Sequence, residues 1–185
     1  ALVSEAVNKL WITSIEGLML VESLLISISV YRGRDPKDSD EQEYLFNLFD
    51  CLGALLLNSS VARNSFASDQ CQGFDLFLML LKEINIARIR AIQIVDYVLS
   101  SEDTSHLAVK FINSGGLKLI CPILMGKGTS KLVKCYPKLL LSLDQDESHA
   151  CAIVASLFKN TPCPSSAYFR LITKFVEGSG EKFSK

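Results

Sequence analysis

Nucleophilic catalysis needs a serine or cysteine beside a group that can take its proton. This chain of 185 residues has two histidines, His106 and His149, and neither falls in a motif that supplies such a pair. The six cysteines, Cys51, Cys71, Cys121, Cys135, Cys151 and Cys163, include no CxxC spacing that would place two thiolates on one zinc ion. Reduced thiols in an intracellular protein are expected, with no metal and no cofactor. Asp144, Asp146 and Glu147 cluster, but acids in such a run suit a helix N-terminus, whose dipole they offset. Gly126-Lys127-Gly128-Thr129 lacks the GxxxxGK[ST] order of a phosphate loop and is expected to be a turn. Asn58-Ser59-Ser60 is formally a glycosylation sequon, which has no meaning inside a cell. These residues point away from an enzyme.

Binding chemistry is what remains. Asn47, Asp50, Ala54 and Asn58 lie at the spacing of one helical stripe. Arg90, Gln93, Tyr97 and Ser101 repeat the stripe, as do His149, Ala152, Ser156 and Asn160. Asparagine amides can hold the backbone of an extended peptide, whose N–H and C=O groups otherwise lose their hydrogen bonds. Asn47, Asp50, Asn58, Arg90, Gln93, Tyr97, His149 and Asn160 are therefore the candidate peptide groove, with an acidic patch expected near Glu43 and Asp50. Lys127, Lys131, Lys134 and Lys138 form a basic run. A solvated face is the favoured reading of it, and contact with an acidic partner or with RNA the alternatives, of which RNA predicts steeply salt-dependent binding.

The elements that would carry these stripes repeat. Gly17, Gly73 and Gly116 each open an apolar helical pattern. Its columns are Leu18/Phe74/Leu117, Leu20/Leu76/Leu119, Val21/Phe77/Ile120, Leu24/Leu80/Ile123 and Leu25/Leu81/Leu124, which trace one helix face. A second helix type interleaves, aligning Leu48, Ala91 and Ala150. Its apolar columns place Cys51 and Cys151 in the core. Short apolar stretches at Val61–Ala67 and Thr104–Ile112 precede the second and third glycines. The unit is short, middle and long helix over about 43 residues, the period of armadillo and HEAT arrays. A glycine before the middle helix favours armadillo, because it lets the chain turn sharply there.

The expected fold is all-α, a right-handed armadillo-type superhelical solenoid of about three to four repeats in one domain over 1–185. A polar loop, Arg32 to Asp40, precedes a long helix from about Glu41. An inserted helix broken near Pro137 is expected at about 126–144. A last helix runs from about Ser165 to Val176, and 178–185 form a flexible tail.

Composition agrees with a packed helical array. Hydrophobic residues make up 49% of the chain, enough to exclude disorder, and a net charge of −1 disfavours a generally basic nucleic-acid binder. The balance conceals a division, because residues 1–100 hold 8 Lys+Arg against 13 Asp+Glu and residues 101–185 hold 11 against 7. Mean hydropathy is +0.27, high enough to raise a membrane span at Trp11 to Tyr31. Glu16 and Glu22 argue against one, at about 2.5–3.5 kcal/mol for each charge near a span centre. No signal peptide is evident. The start at Ala1 suggests a piece of a longer protein, with apolar surface at its ends near Leu2, Val3 and Leu10 and self-association there.

Three stretches carry a more specific likeness. They are Glu41-Gln42-Glu43 followed by Asn47-Leu48-Phe49-Asp50 and Leu52; His149, Cys151, Ile153, Ala155, Ser156 and Leu157; and Arg170-Leu171, Lys174-Phe175, Glu177 and Glu181-Lys182. In these the sequence resembles the beta-catenin-like protein 1 family of armadillo proteins, over about residues 15–185. The resemblance implies a non-enzymatic scaffold of the nucleus, within the pre-mRNA splicing machinery, whose partners are splicing factors carrying basic localisation segments. It implies a middle-to-late part of the family's array. Asp50 and His149 fit both the likeness and the groove stripe. The region Gly126–Leu143 departs most, being apolar where the family is highly charged.

Overall fold

A computed structural model describes residues 15–83, 85–101, 104–127, 134–136 and 140–176. Its described residues form helices and connections, with no strand. The helices are α1 (Ile15–Ser29), α2 (Ser39–Asn58), α3 (Ser60–Phe66), α4 (Gly73–Lys82), α5 (Ile86–Leu99), α6 (Ser105–Asn113), α7 (Leu117–Leu124), α8 (Leu140–Asn160) and α9 (Ser166–Val176). Three-helix groups that end in their longest helix recur as α3–α4–α5, with 7, 10 and 14 residues, and α6–α7–α8, with 9, 8 and 21; the long third helix is as expected, whereas α7 is no longer than α6. No single helix among the described residues is long and apolar enough to cross a membrane. Packing divides the chain into two compact units, Ala1–Val98 and Leu99–Lys185.

In the first unit α1 packs on α2, α3 and α4. Val21, Leu24 and Leu25 of α1 and Phe74, Leu76, Phe77, Leu80 and Leu81 of α4 are buried, as their columns require. Phe66 of α3 lies at the centre, 5.5 Å from the Phe74 ring and 5.3 Å from Phe77. Phe49 of α2 meets Phe77 edge-on at 6.0 Å. Such pairs add about 0.5–1.5 kcal/mol each beyond the area they bury.

Gly73 explains how these rings come together. A Cβ placed there would lie 2.5 Å from the Phe66 carbonyl oxygen and 2.7 Å from its ring. In the second unit, a Cβ on Gly116 would overlap the Phe111 ring. The repeat glycine thus serves by absence of a side chain, and its backbone at Gly116 is ordinary right-handed helix (φ −54). The sharp turn falls one residue earlier, at Gln72 (φ 51) and Gly115 (φ 89). The turning role expected of Gly73 and Gly116 is corrected accordingly.

Ser59 joins α2 to α3 at both ends: its backbone N–H donates to Leu55 of α2, and its hydroxyl accepts from the Ala62 N–H of α3. The buried Arg63 donates to the Leu56 carbonyl at 2.5 Å, satisfying an end-of-helix acceptor. In the second unit the Thr104 hydroxyl donates to the carbonyls of Leu99 and Ser101. There α7 packs on α8 and α6 on α9, and Phe158 meets Phe175 at 5.4 Å.

Several expectations need correction. Cys51 and Cys151 are exposed. Cys51 shares the solvent stripe of Asn47, Asp50 and Asn58, and Cys151 that of Glu147, Ala155 and Lys159. Both thiols sit one step around the helix from a core column. Asp144, Asp146 and Glu147 are not at a helix N-terminus, because α8 begins at Leu140; Asp146 is buried within it. Leu20 and Leu119 are half-buried rather than core. The break near Pro137, the tail at 178–185 and the apolar ends at Leu2, Val3 and Leu10 lie outside the described residues.

Gly73→Ala and Gly116→Ala are expected to destabilise the chain by about 1–3 kcal/mol each, as overpacking does. Gly33→Ala, with nothing within 4 Å of its Cβ, is the neutral control. Urea unfolding of the three variants checks this.

Candidate functional site

The long helices α2 and α5 carry the first two copies of the polar stripe, and the loop before α2 holds both in place. The Asp38 carboxylate accepts from the Glu41 N–H at 2.8 Å and caps α2. Glu41 reaches back to accept from the Arg34 guanidinium at 2.6 Å and from the Lys37 N–H at 2.6 Å. The Tyr31 hydroxyl donates to the same carboxylate at 3.3 Å. Asp35 accepts from the Ile86 N–H at 3.0 Å, at the start of α5. The Asn85 amide donates to the Tyr31 carbonyl at 3.1 Å. One loop therefore fixes the first turn of each long helix.

The Arg34 hydrogen bond, then that from the Lys37 N–H, holds the Glu41 carboxyl at about 2, well below the ordinary 4.5. Burial, then the negative charge of Glu41, pushes the Tyr31 hydroxyl up.

Between α2 and α5 lies a cleft of about 220 Å³, lined by Asp50, Ala54 and Leu57 on one side and Arg90, Gln93 and Tyr97 on the other. A Cβ on Gly53 would sit 3.1 Å from the Tyr97 ring, so this glycine lets the ring close against α2. Arg90 Nη1 lies 3.5 Å from Asp50 Oδ1, with the Asp50 side chain 62% exposed and the Arg90 side chain 30%. Arg90 has two other holds. Its guanidinium stands 4.8 Å over the Phe46 ring, and Nη1 donates to Gln93 Oε1 at 3.2 Å.

Four of the eight candidate residues, Asp50, Arg90, Gln93 and Tyr97, thus line one cleft. Asn47 is exposed on α2 outside that lining. Asn58 is exposed and donates its amide to the Ala54 carbonyl of its own helix at 2.8 Å. His149 and Asn160 belong to the second unit, where His149 is half-buried on α8. The Asn160 amide donates to the Thr104 hydroxyl at 2.8 Å and to the Leu99 and Ser101 carbonyls at 3.3 Å. That side chain fastens α8 to the turn before α6, which is a structural task rather than the ligand contact expected of it.

Phe46 and Gly53 were not among the candidates. Gly53 carried a signal, since glycine within a 20-residue helix costs about 1 kcal/mol against alanine and marks a close approach. Among the described residues no group of three His, Cys, Asp or Glu side chains could hold a metal ion.

A family model described as "Catenin-beta-like, Arm-motif containing nuclear" matches residues 2–185. The chain is 29% identical over 177 residues to the beta-catenin-like protein 1 homolog of Schizosaccharomyces pombe, covering 96% of this chain and 28% of the relative. It is 31% identical over 165 residues to beta-catenin-like protein 1 of Rattus norvegicus and of Homo sapiens, covering 89% of this chain and 28% of each relative. The chain therefore spans about a quarter of the length of the curated relatives it matches.

Because Glu41 has its carboxyl lowered in the folded state, the stability it adds is present above the unfolded value near 4.5 and is lost as pH falls toward about 2. Glu41→Gln is expected to destabilise the chain at pH 7 and to flatten the loss of stability between those two pH values. Urea midpoints of both proteins across that range check it.

Proposed function

The chain belongs to the Catenin-beta-like, Arm-motif containing nuclear family, and from that premise we propose that it is a non-enzymatic protein-interaction scaffold acting in the nucleus on pre-mRNA splicing factors. The repeated three-helix groups, each ending in a long helix, support a right-handed armadillo superhelix as its architecture. The observation that carries the reading is the α2–α5 cleft, with Asp50 exposed at its rim. An incoming lysine or arginine of a basic localisation segment takes the Asp50 carboxylate. Arg90 gives way, retained by the Phe46 ring and Gln93. The Gln93 amide pairs with peptide backbone, and the Tyr97 ring covers an aliphatic stem. Asn47 and His149 are further groove positions in this proposal, whereas Asn160 has its amide committed within the second unit.

Fluorescence titration of the chain with a basic localisation peptide tests this. Asp50→Lys replaces attraction by repulsion at the rim and is expected to weaken binding about tenfold. Arg90→Gln removes the competing cation and is expected to tighten it about threefold. No binding, or the same affinity in both variants as in the unaltered chain, would overturn the assignment.

A further inference from the structure

The first unit has a second cleft, sharing no lining residue with that between α2 and α5. It lies between α1 and α4, beside the turn that joins α3 to α4, and holds about 240 Å³. Its apolar side is Leu25, Leu76 and Met79 together with Ile26, which is 62% exposed. Glu22 of α1 and Asp75 of α4 line it as well. Among the described residues neither carboxylate has a hydrogen bond or ion pair. Arg32, the one cation in the lining, is not paired with them; its guanidinium lies 3.5 Å from the Met79 sulfur. The amides of Gln70 and Gln72 complete the rim, and neither side chain bonds to another described residue.

An apolar floor, with carboxylates and amides that have no partner among the described residues, calls for one kind of occupant. An aliphatic side chain fits the floor, a cation fits Glu22 and Asp75, and backbone N–H and C=O groups fit the glutamine amides. The surrounding charge agrees: the residues Ala1–Val98 hold 8 Lys+Arg against 13 Asp+Glu, which draws a cationic segment toward this unit. We infer that the α1–α4 cleft docks an extended segment of a partner protein that carries a lysine or arginine next to an aliphatic residue. The site is independent of the α2–α5 cleft, so either assignment can fail without the other.

Titration of the isotope-labelled chain with acetyl-Leu-Lys-Leu-amide, followed by amide chemical shifts, tests the inference. Saturable shifts at Ile26, Asp75 and Met79 are expected. The same peptide with norleucine in place of lysine is expected to bind about fivefold more weakly, as loss of exposed ion pairs allows. Glu22→Gln with Asp75→Asn, a near-isosteric pair, is expected to reduce lysine-peptide affinity to the norleucine level while helix content stays unchanged. Absent or non-saturating shifts, shifts confined to the α2–α5 cleft, or equal affinity for the two peptides would overturn it. The norleucine comparison stands even where the double variant fails to fold. Shifts at these residues on raising protein concentration alone would assign the cleft to a second copy of the chain, which also overturns it.

Discussion

A phenyl ring seated on a glycine is the contact from which the rest of this structure follows. Phe66 lies against the bare backbone of Gly73, and Phe111 against that of Gly116. In each case the short helix and the middle helix approach closer than any side chain on the glycine would permit. In the first unit the same ring gathers Phe74 and Phe77, and Phe77 gathers Phe49 of the long helix. The position of α2, and hence of the cleft it forms with α5, depends on how deeply that one ring is seated. The core tolerates little change there because its packing is close to crystalline and a displaced ring has nowhere to go.

Much of this was legible from spacing. The columns Val21/Phe77/Ile120, Leu24/Leu80/Ile123 and Leu25/Leu81/Leu124 were read as core and are buried throughout. The short helices were expected within two residues of where they lie. The failures have a common cause. Cys51 and Cys151 are apolar by type and adjacent to core columns, and a step of 100° per residue turns such a neighbour to solvent. Sequence also marked the repeat glycines without revealing what they do. A glycine that turns the chain and a glycine that admits a ring look alike until the ring is located, and the ring lies seven residues before Gly73 and five before Gly116. For the candidate site, helical periodicity brought Asp50 together with Arg90, Gln93 and Tyr97. It missed that Asn160 is consumed by Thr104 and the carbonyls of Leu99 and Ser101. That bond joins residues about 60 apart in sequence, beyond the reach of any local pattern.

Polar residues are used with economy. The loop from Tyr31 to Glu41 links the starts of α2 and α5 through Asp35, Asp38 and Glu41. Glu22 and Asp75, by contrast, are left without partners among the described residues, and Asp50 has only a long contact to Arg90. Family membership and this surface both support the proposal of an interaction scaffold. The division of charge places the acidic excess on the unit that bears both clefts.

The seating of Phe66 on Gly73 can be isolated by a double-mutant cycle between Gly73→Ala and Phe66→Leu, measured by urea unfolding. If the ring against the bare backbone is the controlling contact, the alanine is much better tolerated once the ring is gone, with a coupling of about 1 kcal/mol or more. Additive losses, with Gly73→Ala equally harmful in both backgrounds, would contradict that account.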